Sequence, residues 1–183
     1  MSDILIIAGS PSASSKSGAL FEHIRQQLAK ESLTSRVVSV RDFPAEDLLH
    51  AKYDSPVFDE IKKLVENASG IIVTTPIYKA SYTGALKALL DILPQTALRG
   101  KTVLPIANGG SPAHLLAIDY AIKPVLSALG ATDLLQGVYI VEGQLKVDSD
   151  GVAVFTDELR ARIDDSVARL AANVRPRAVP VSA

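Results

Sequence analysis

Ile4-Leu5-Ile6-Ile7-Ala8-Gly9-Ser10-Pro11-Ser12-Ala13-Ser14-Ser15-Lys16-Ser17-Gly18 runs from five apolar residues through a hydroxyl-rich turn into a helical pattern. Five apolar residues in succession fit a strand buried on both faces, as in a parallel sheet. A strand that hands a serine-rich turn to a helix start builds an anion site from backbone N–H groups, hydroxyls and the helix dipole. Its natural guest is a phosphate. The turn is not a GxGxxG loop, because no second glycine follows before Gly18. Nor is it a Walker loop, because Ser15 stands where a glycine should precede Lys16-Ser17. Without those glycines the backbone cannot wrap a di- or triphosphate, whereas Ser10, Ser12, Ser14, Ser15 and Ser17 can donate to one terminal phosphate and Lys16 can add charge. The plainer alternative is that Ser15 or Ser17 only caps the following helix.

Outward from this stretch, apolar runs alternate with amphipathic ones. Strands are expected at 4–8, 36–40, 70–75, 102–107 and 134–141, and helices at 18–30, 56–67, 83–93, 112–129 and 157–172. Parallel neighbours need crossover connections, so this alternation implies an α/β, doubly wound three-layer sandwich. The expected form is flavodoxin-like, a five-stranded parallel sheet of order 2-1-3-4-5. In that order the loops after strands one, three and four meet outside the carboxyl ends of the strands. Residues 1–174 are read as one domain and 175–183 as a disordered tail, since its two prolines interrupt pairing.

Composition limits what such a domain can do. The 183 residues, 48% hydrophobic and 21% charged, suffice for one core, and a net charge of -1 gives no general attraction to nucleic acid or an anionic membrane. Cysteine is absent, so no disulfide, thiol nucleophile or thiolate metal site is available, and redox chemistry requires a cofactor. The first residues lack the basic segment and length of a secretory signal, and no apolar run approaches the ~20 residues of a membrane span. A cytoplasmic location is expected.

The second loop, Pro76-Ile77-Tyr78-Lys79-Ala80-Ser81-Tyr82-Thr83-Gly84, offers an apolar and aromatic wall on a proline-stiffened turn. Leu86, Leu89, Leu90 and Leu93 follow at helical spacing and turn that helix's stripe to the core. The third loop, Asn108-Gly109-Gly110-Ser111-Pro112, pairs two glycines that permit close backbone approach with a cap and a first-turn proline. Either loop alone could be turn punctuation. Together with the first they fit a flat heterocycle bearing one phosphate, namely flavin mononucleotide (FMN). His114 follows in the next turn, where a lone histidine more often packs or faces solvent. The helical pattern Leu115, Ile118, Ile122, Val125, Leu126, Leu129 contains Pro124, which cannot donate to the carbonyl of Tyr120. A kink or a single π turn is expected there.

The segments IAGSPSASSKSGALFEHIR, EDLLHAKYDSP, TTPIYKASYTGALKALLDILP, LRGKTVLPIANGG and AHLLAIDYAIKPVLSALGA together resemble the NADPH-dependent FMN reductases that serve two-component alkanesulfonate monooxygenases. The resemblance spans about residues 4–141. It implies a flavin phosphate held by Ser10, Ser15, Lys16 and Ser17, an isoalloxazine flanked by Pro76, Ile77, Tyr78 and Lys79, and a flavin border at Asn108, Gly109 and Gly110. It also implies hydride transfer from NADPH or NADH to FMN without a catalytic side chain or a metal, and release of reduced flavin to a separate monooxygenase in sulfonate metabolism. A homodimer or homotetramer with Tyr120 near an interface is implied as well. The chain departs from the family at Ser12, where arginine is frequent, and at Asn108, where threonine is. A flavin-retaining quinone or azo reductase and a flavodoxin-type electron carrier would use the same three loops.

Overall fold

The computed structural model describes residues 3–13 and 17–174; the expected tail at 175–183 lies outside them. In chain order the strands are β1 (Ile4–Ala8), β2 (Ser35–Ser39), β3 (Gly70–Tyr78), β4 (Ser81–Tyr82), β5 (Thr102–Gly109), β6 (Asp133–Leu134), β7 (Val138–Val141), β8 (Leu145–Val147) and β9 (Ala153–Phe155). The helices are α1 (Ser17–Lys30), α2 (Ala45–Leu49), α3 (Asp59–Asn67), α4 (Gly84–Ile92), α5 (Lys123–Ala128) and α6 (Asp157–Val174).

The central sheet runs β2-β1-β3-β5 and ends on β6 and β7, all parallel, which is the order 2-1-3-4-5 once β6 and β7 count as one interrupted fifth strand. The fold is flavodoxin-like. Register is set from the bottom edge, where Ile4 stands opposite both Ser35 and Gly70, and Gly70 opposite Thr102. Alternation along β1 then divides the core. Leu5 and Ile7 join Phe58, Ile61, Leu86 and Leu89 beneath α3 and α4, while Ile4 and Ile6 join Ile24, Leu28, Ile163 and Leu170 beneath α1 and α6. All five residues of β1 are buried, and each large aliphatic side chain so buried contributes about 1.5–3 kcal/mol. The expected stripe Leu86, Leu89, Leu90 and Leu93 is buried throughout. Between α1 and α6 the buried His23 Nε2 lies 2.7 Å from Asp164 Oδ1.

Two prolines occupy inner strands, where a missing N–H normally breaks the ladder. Val103 O accepts from Leu135 N and Gly109 O from Glu142 N, so alternate residues of β5, Pro105 among them, direct their backbone groups to the fifth strand. That strand is interrupted there, at residues 135–137. Gly137, at φ +91°, crosses so closely that a Cβ on it would stand 2.9 Å from Pro105 O. Pro76 likewise faces the β1 side, where β1 has already ended at Ala8.

The expected helix over 112–129 is corrected. A 3-10 turn (Pro112–His114) leads into a π turn (Ile118–Ile122), in which Lys123 N donates to Ile118 O, and then into α5 with Pro124 in its first turn. Pro124 therefore meets no α-helical acceptor. Because the segment before the π turn is not α-helical, Leu115 is exposed rather than buried, and so is Leu116. The short α2, β4 and the β8–β9 hairpin were not expected. Among the described residues no helix is long and apolar enough to cross a membrane.

At the bottom edge Asp3 Oδ2 accepts from Thr34 N and Thr34 Oγ1, both at 2.8 Å, and these bonds hold its carboxyl below the ordinary 3.8. A carboxyl lowered on folding stabilises above its unfolded value and ceases to do so as pH falls through its folded one. Asp3→Asn is therefore expected to reduce stability near neutral pH by less than about 1 kcal/mol, since the group is partly solvated. Urea melts of the two proteins should converge as pH falls below 3.8.

Candidate functional site

At the carboxyl ends of the strands the chain is tied together before any ligand is considered. Gly9 N donates to Thr74 O at 2.7 Å, and Gly9 O accepts from Thr83 Oγ1 at 2.6 Å. Thr83 is the N-cap of α4, and the same hydroxyl accepts from Leu86 N at 3.1 Å. Its own N–H donates to Thr75 Oγ1 at 3.2 Å, which in turn donates to Pro76 O at 2.9 Å. No side chain fits at residue 9, because a Cβ there would lie 2.8 Å from Thr74 O and 2.9 Å from Leu86 Cβ. The first loop is thus locked to the second.

The second loop is a hairpin in which Ile77 pairs with Tyr82 and Tyr78 with Ser81. Its two central residues, Lys79 (φ +51°) and Ala80 (φ +64°), are both left-handed, the conformation that two-residue hairpins require and that Asn-Gly usually supplies. A non-glycine residue held there costs of order 1 kcal/mol or more. The third loop is braced from beneath. Tyr139, only 6% exposed, donates its hydroxyl to Ser111 O at 3.0 Å, and burial raises its pKa, so the phenol stays protonated. A Cβ on Gly109 would meet that hydroxyl at 2.3 Å. Ser111 caps the 3-10 turn by accepting from Ala113 N at 3.3 Å, with Pro112 as its first residue.

These loops enclose a cleft of about 360 Å³ lined by Ser10, Ser12, Ser17, Leu20, Pro76, Ile77, Tyr78, Asn108, Gly109, Gly110, Ile140, Val141, Glu142 and Leu145. The volume falls within the ~300–1,000 Å³ of small-molecule sites. Of the residues expected from the sequence, Ser10, Ser17, Pro76, Ile77, Tyr78, Asn108, Gly109 and Gly110 come together here. Asn108 and Gly109 are the last residues of β5 rather than loop. Lys79 lies outside the lining, at the tip of the hairpin, and His114 is exposed and also outside it. Ser15 and Lys16 lie outside the described residues. Sequence reasoning missed Leu20, Ile140, Val141, Glu142 and Leu145. The first is one turn into α1, the next two end the fifth strand at the same sheet edge and Glu142 directly follows it, a signal the strand order already carried.

One end of the cleft holds hydroxyls and the α1 N-terminus, whose N–H groups favour an anion. Ser10 is buried, and its Oγ accepts from Ser12 N at 3.3 Å. The middle is apolar, with Leu20, Pro76, Ile77 and Tyr78. At the far end stands Glu142, and among the described lining residues it alone carries a formal charge.

A family model for NADPH-dependent FMN reductase matches residues 2–146. An FMN reductase (NADPH) of Pseudomonas putida is 50% identical over 96% of this chain and 91% of its own length. One from Escherichia coli K12 is 45% identical over 90% and 85%. Among solved structures, the apo form of an NADH:FMN oxidoreductase (EMOB) superposes with a TM-score of 0.81 at 38% identity, covering 94% of this chain and 89% of that one.

The lock between the first two loops is open to test. Thr83→Val keeps the shape but leaves Gly9 O and Leu86 N without their partner, each a buried group costing about 1–3 kcal/mol. A loss of about 2–4 kcal/mol in chemical denaturation is expected, with Thr83→Ser close to wild type. Equal stability of Thr83→Val and wild type would refute the lock.

Proposed function

The chain belongs to the NADPH-dependent FMN reductase family, and from that premise we propose that its three-loop cleft is the FMN site. The protein is an NAD(P)H:FMN oxidoreductase that uses FMN and NADPH. The observation that carries the site assignment is the meeting, in one cleft, of a hydroxyl-lined helix start, an apolar wall and an open glycine pair. The donor set fits FMN. Hydroxyls suit a monophosphate. A Cβ on Gly110 would come no nearer to another residue than 3.7 Å, from Glu142 Oε2, which leaves room for a ring edge.

In this reading Ser10, Ser15, Lys16 and Ser17 hold the phosphate. Pro76, Ile77, Tyr78 and Lys79 flank the isoalloxazine, and Asn108, Gly109 and Gly110 border it. When bound, FMN supplies a hydride acceptor at N5 for C4 of the nicotinamide. The chain's own work is positioning, since hydride transfer depends on stacking and distance more than on an acid or base. Tyr78, half exposed at the lip, and Ile77 present the apolar surface for stacking. The locked first and second loops keep phosphate and ring supports in fixed relation.

Reduced FMN then leaves for a separate flavin-dependent monooxygenase of alkanesulfonate desulfonation. The scarcity of charged contacts in the described lining supports loose retention of the flavin. A relative from Pseudomonas putida, 33% identical over 98% of this chain, is an NADH-dependent FMN reductase, SfnE. We further propose a cytoplasmic homodimer or homotetramer with Tyr120 near an interface. Tyr120 is 79% exposed, beside exposed Leu115 and Leu116, and such an apolar patch favours burial against another surface.

Anaerobic stopped-flow with NADPH and added FMN should show flavin bleaching followed by exchange with free flavin, and dialysis should strip the protein of FMN. Ser17→Ala should raise the Kd for FMN by about 10-fold or more, the worth of one hydrogen bond to a charged group. Riboflavin, which lacks the phosphate, should bind both proteins alike. Turnover with a quinone while the flavin stays bound would instead favour a flavin-retaining reductase.

A further inference from the structure

Glu142 is the feature of the cleft that the reading above does not use. It follows β7, and its N–H donates to Gly109 O at 2.9 Å, which fixes its backbone beside the glycine pair. Its side chain is exposed to solvent, with Oε2 turned toward Gly110. The described lining places no cation near it.

Position decides which part of a guest feels this carboxylate. Along the path β1-β3-β5-β7 three strand spacings intervene, about 14 Å at ~4.8 Å each, between Glu142 and the hydroxyl end that begins after β1. That exceeds the ~8 Å screening length at physiological salt, so a phosphate at Ser10 and Ser17 is largely shielded from Glu142. A ring bordered by Gly109 and Gly110 is not. Hydride transfer breaks the nicotinamide C4–H bond with its electron pair and forms a bond to flavin N5. The flavin product thereby carries one more negative charge than the oxidised form until it takes up a proton.

Resting on the assignment of the cleft to FMN, we infer that Glu142 sets the preference between the two redox forms, weakening the hold on reduced FMN and so favouring its release. For unit charges about 6 Å apart in water or a moderately polar rim, Coulomb's law gives about a 3- to 10-fold effect on affinity. A site that prefers the oxidised form also lowers the potential of the bound couple. The same factor corresponds to about 15–30 mV for two electrons.

The test measures Kd for oxidised FMN by flavin fluorescence and Kd for dithionite-reduced FMN by anaerobic ultrafiltration, in wild type, Glu142→Gln and Glu142→Asp. Glu142→Gln should lower the ratio of reduced to oxidised Kd by about 3- to 10-fold and raise the bound midpoint potential by about 15–30 mV. Glu142→Asp keeps the charge and should retain most of the ratio, and added salt should shrink the difference between Gln and wild type. A ratio unchanged in Glu142→Gln, with FMN still bound, overturns this inference alone. Failure of wild type to bind FMN in either form overturns the site assignment and this inference with it.

Discussion

The hydroxyl of Thr83 is where the fold and the cleft become one object. It donates to Gly9 O at 2.6 Å and accepts from Leu86 N, so a single oxygen closes the start of α4 and fastens the turn that leaves β1. Gly9 makes this possible only because it has no side chain, since its neighbours Thr74 and Leu86 occupy the space a Cβ would need. In a low-dielectric interior such paired groups are costly to separate. The two loops therefore behave as one rigid wall, and everything the cleft presents is measured from it.

The opposite wall has a different logic. Tyr139 reaches up from β7 to Ser111 and fills the room under Gly109, so the glycine loop is held from below while its upper surface stays open. The fifth strand can deliver that tyrosine because it restarts after a gap at Pro105. A proline that looks out of place in a central strand is matched by an interruption in its neighbour. The hairpin Lys79-Ala80 adds a third kind of support, a turn whose left-handed conformation is imposed by strand pairing rather than chosen by its residues.

Much of this was legible in the chain because parallel strands buried on both faces read as unbroken apolar runs. Ile4–Ala8 is matched to the residue, and the spacing between runs left room only for crossover helices. The three loops were legible for a related reason, since strand order alone brings their ends together. The disturbance at Pro124 was legible too, because a missing N–H forbids a regular α-helix there, though it left a kink and a π turn both open. The unexpected elements are those whose stability comes from elsewhere. The β8–β9 hairpin has strands of only three residues each and depends on Leu145 and Phe155 packing against the core, and Leu20 lines the cleft only through the angle at which α1 docks. Pro76 read as the end of a strand, yet β3 continues to Tyr78 because the proline's blank side faces a neighbour that has stopped. The exposure of Leu115 could not be foreseen from periodicity, which assumes a single helical phase.

That change of phase has a further consequence. A π turn accommodates one residue more than an α turn over nearly the same rise, and with the 3-10 turn ahead of it the backbone before Lys123 leaves the phase a continuous α-helix would keep. Shortening the segment by one residue would undo the insertion, but Pro124 would then stand where the backbone needs a donor. The insertion is thus what lets the proline stand here, and losing it alone would restore the clash and the missing hydrogen bond at Pro124. Through that dependence the outward turn of Leu116 is written into the covalent chain rather than left to side-chain choice.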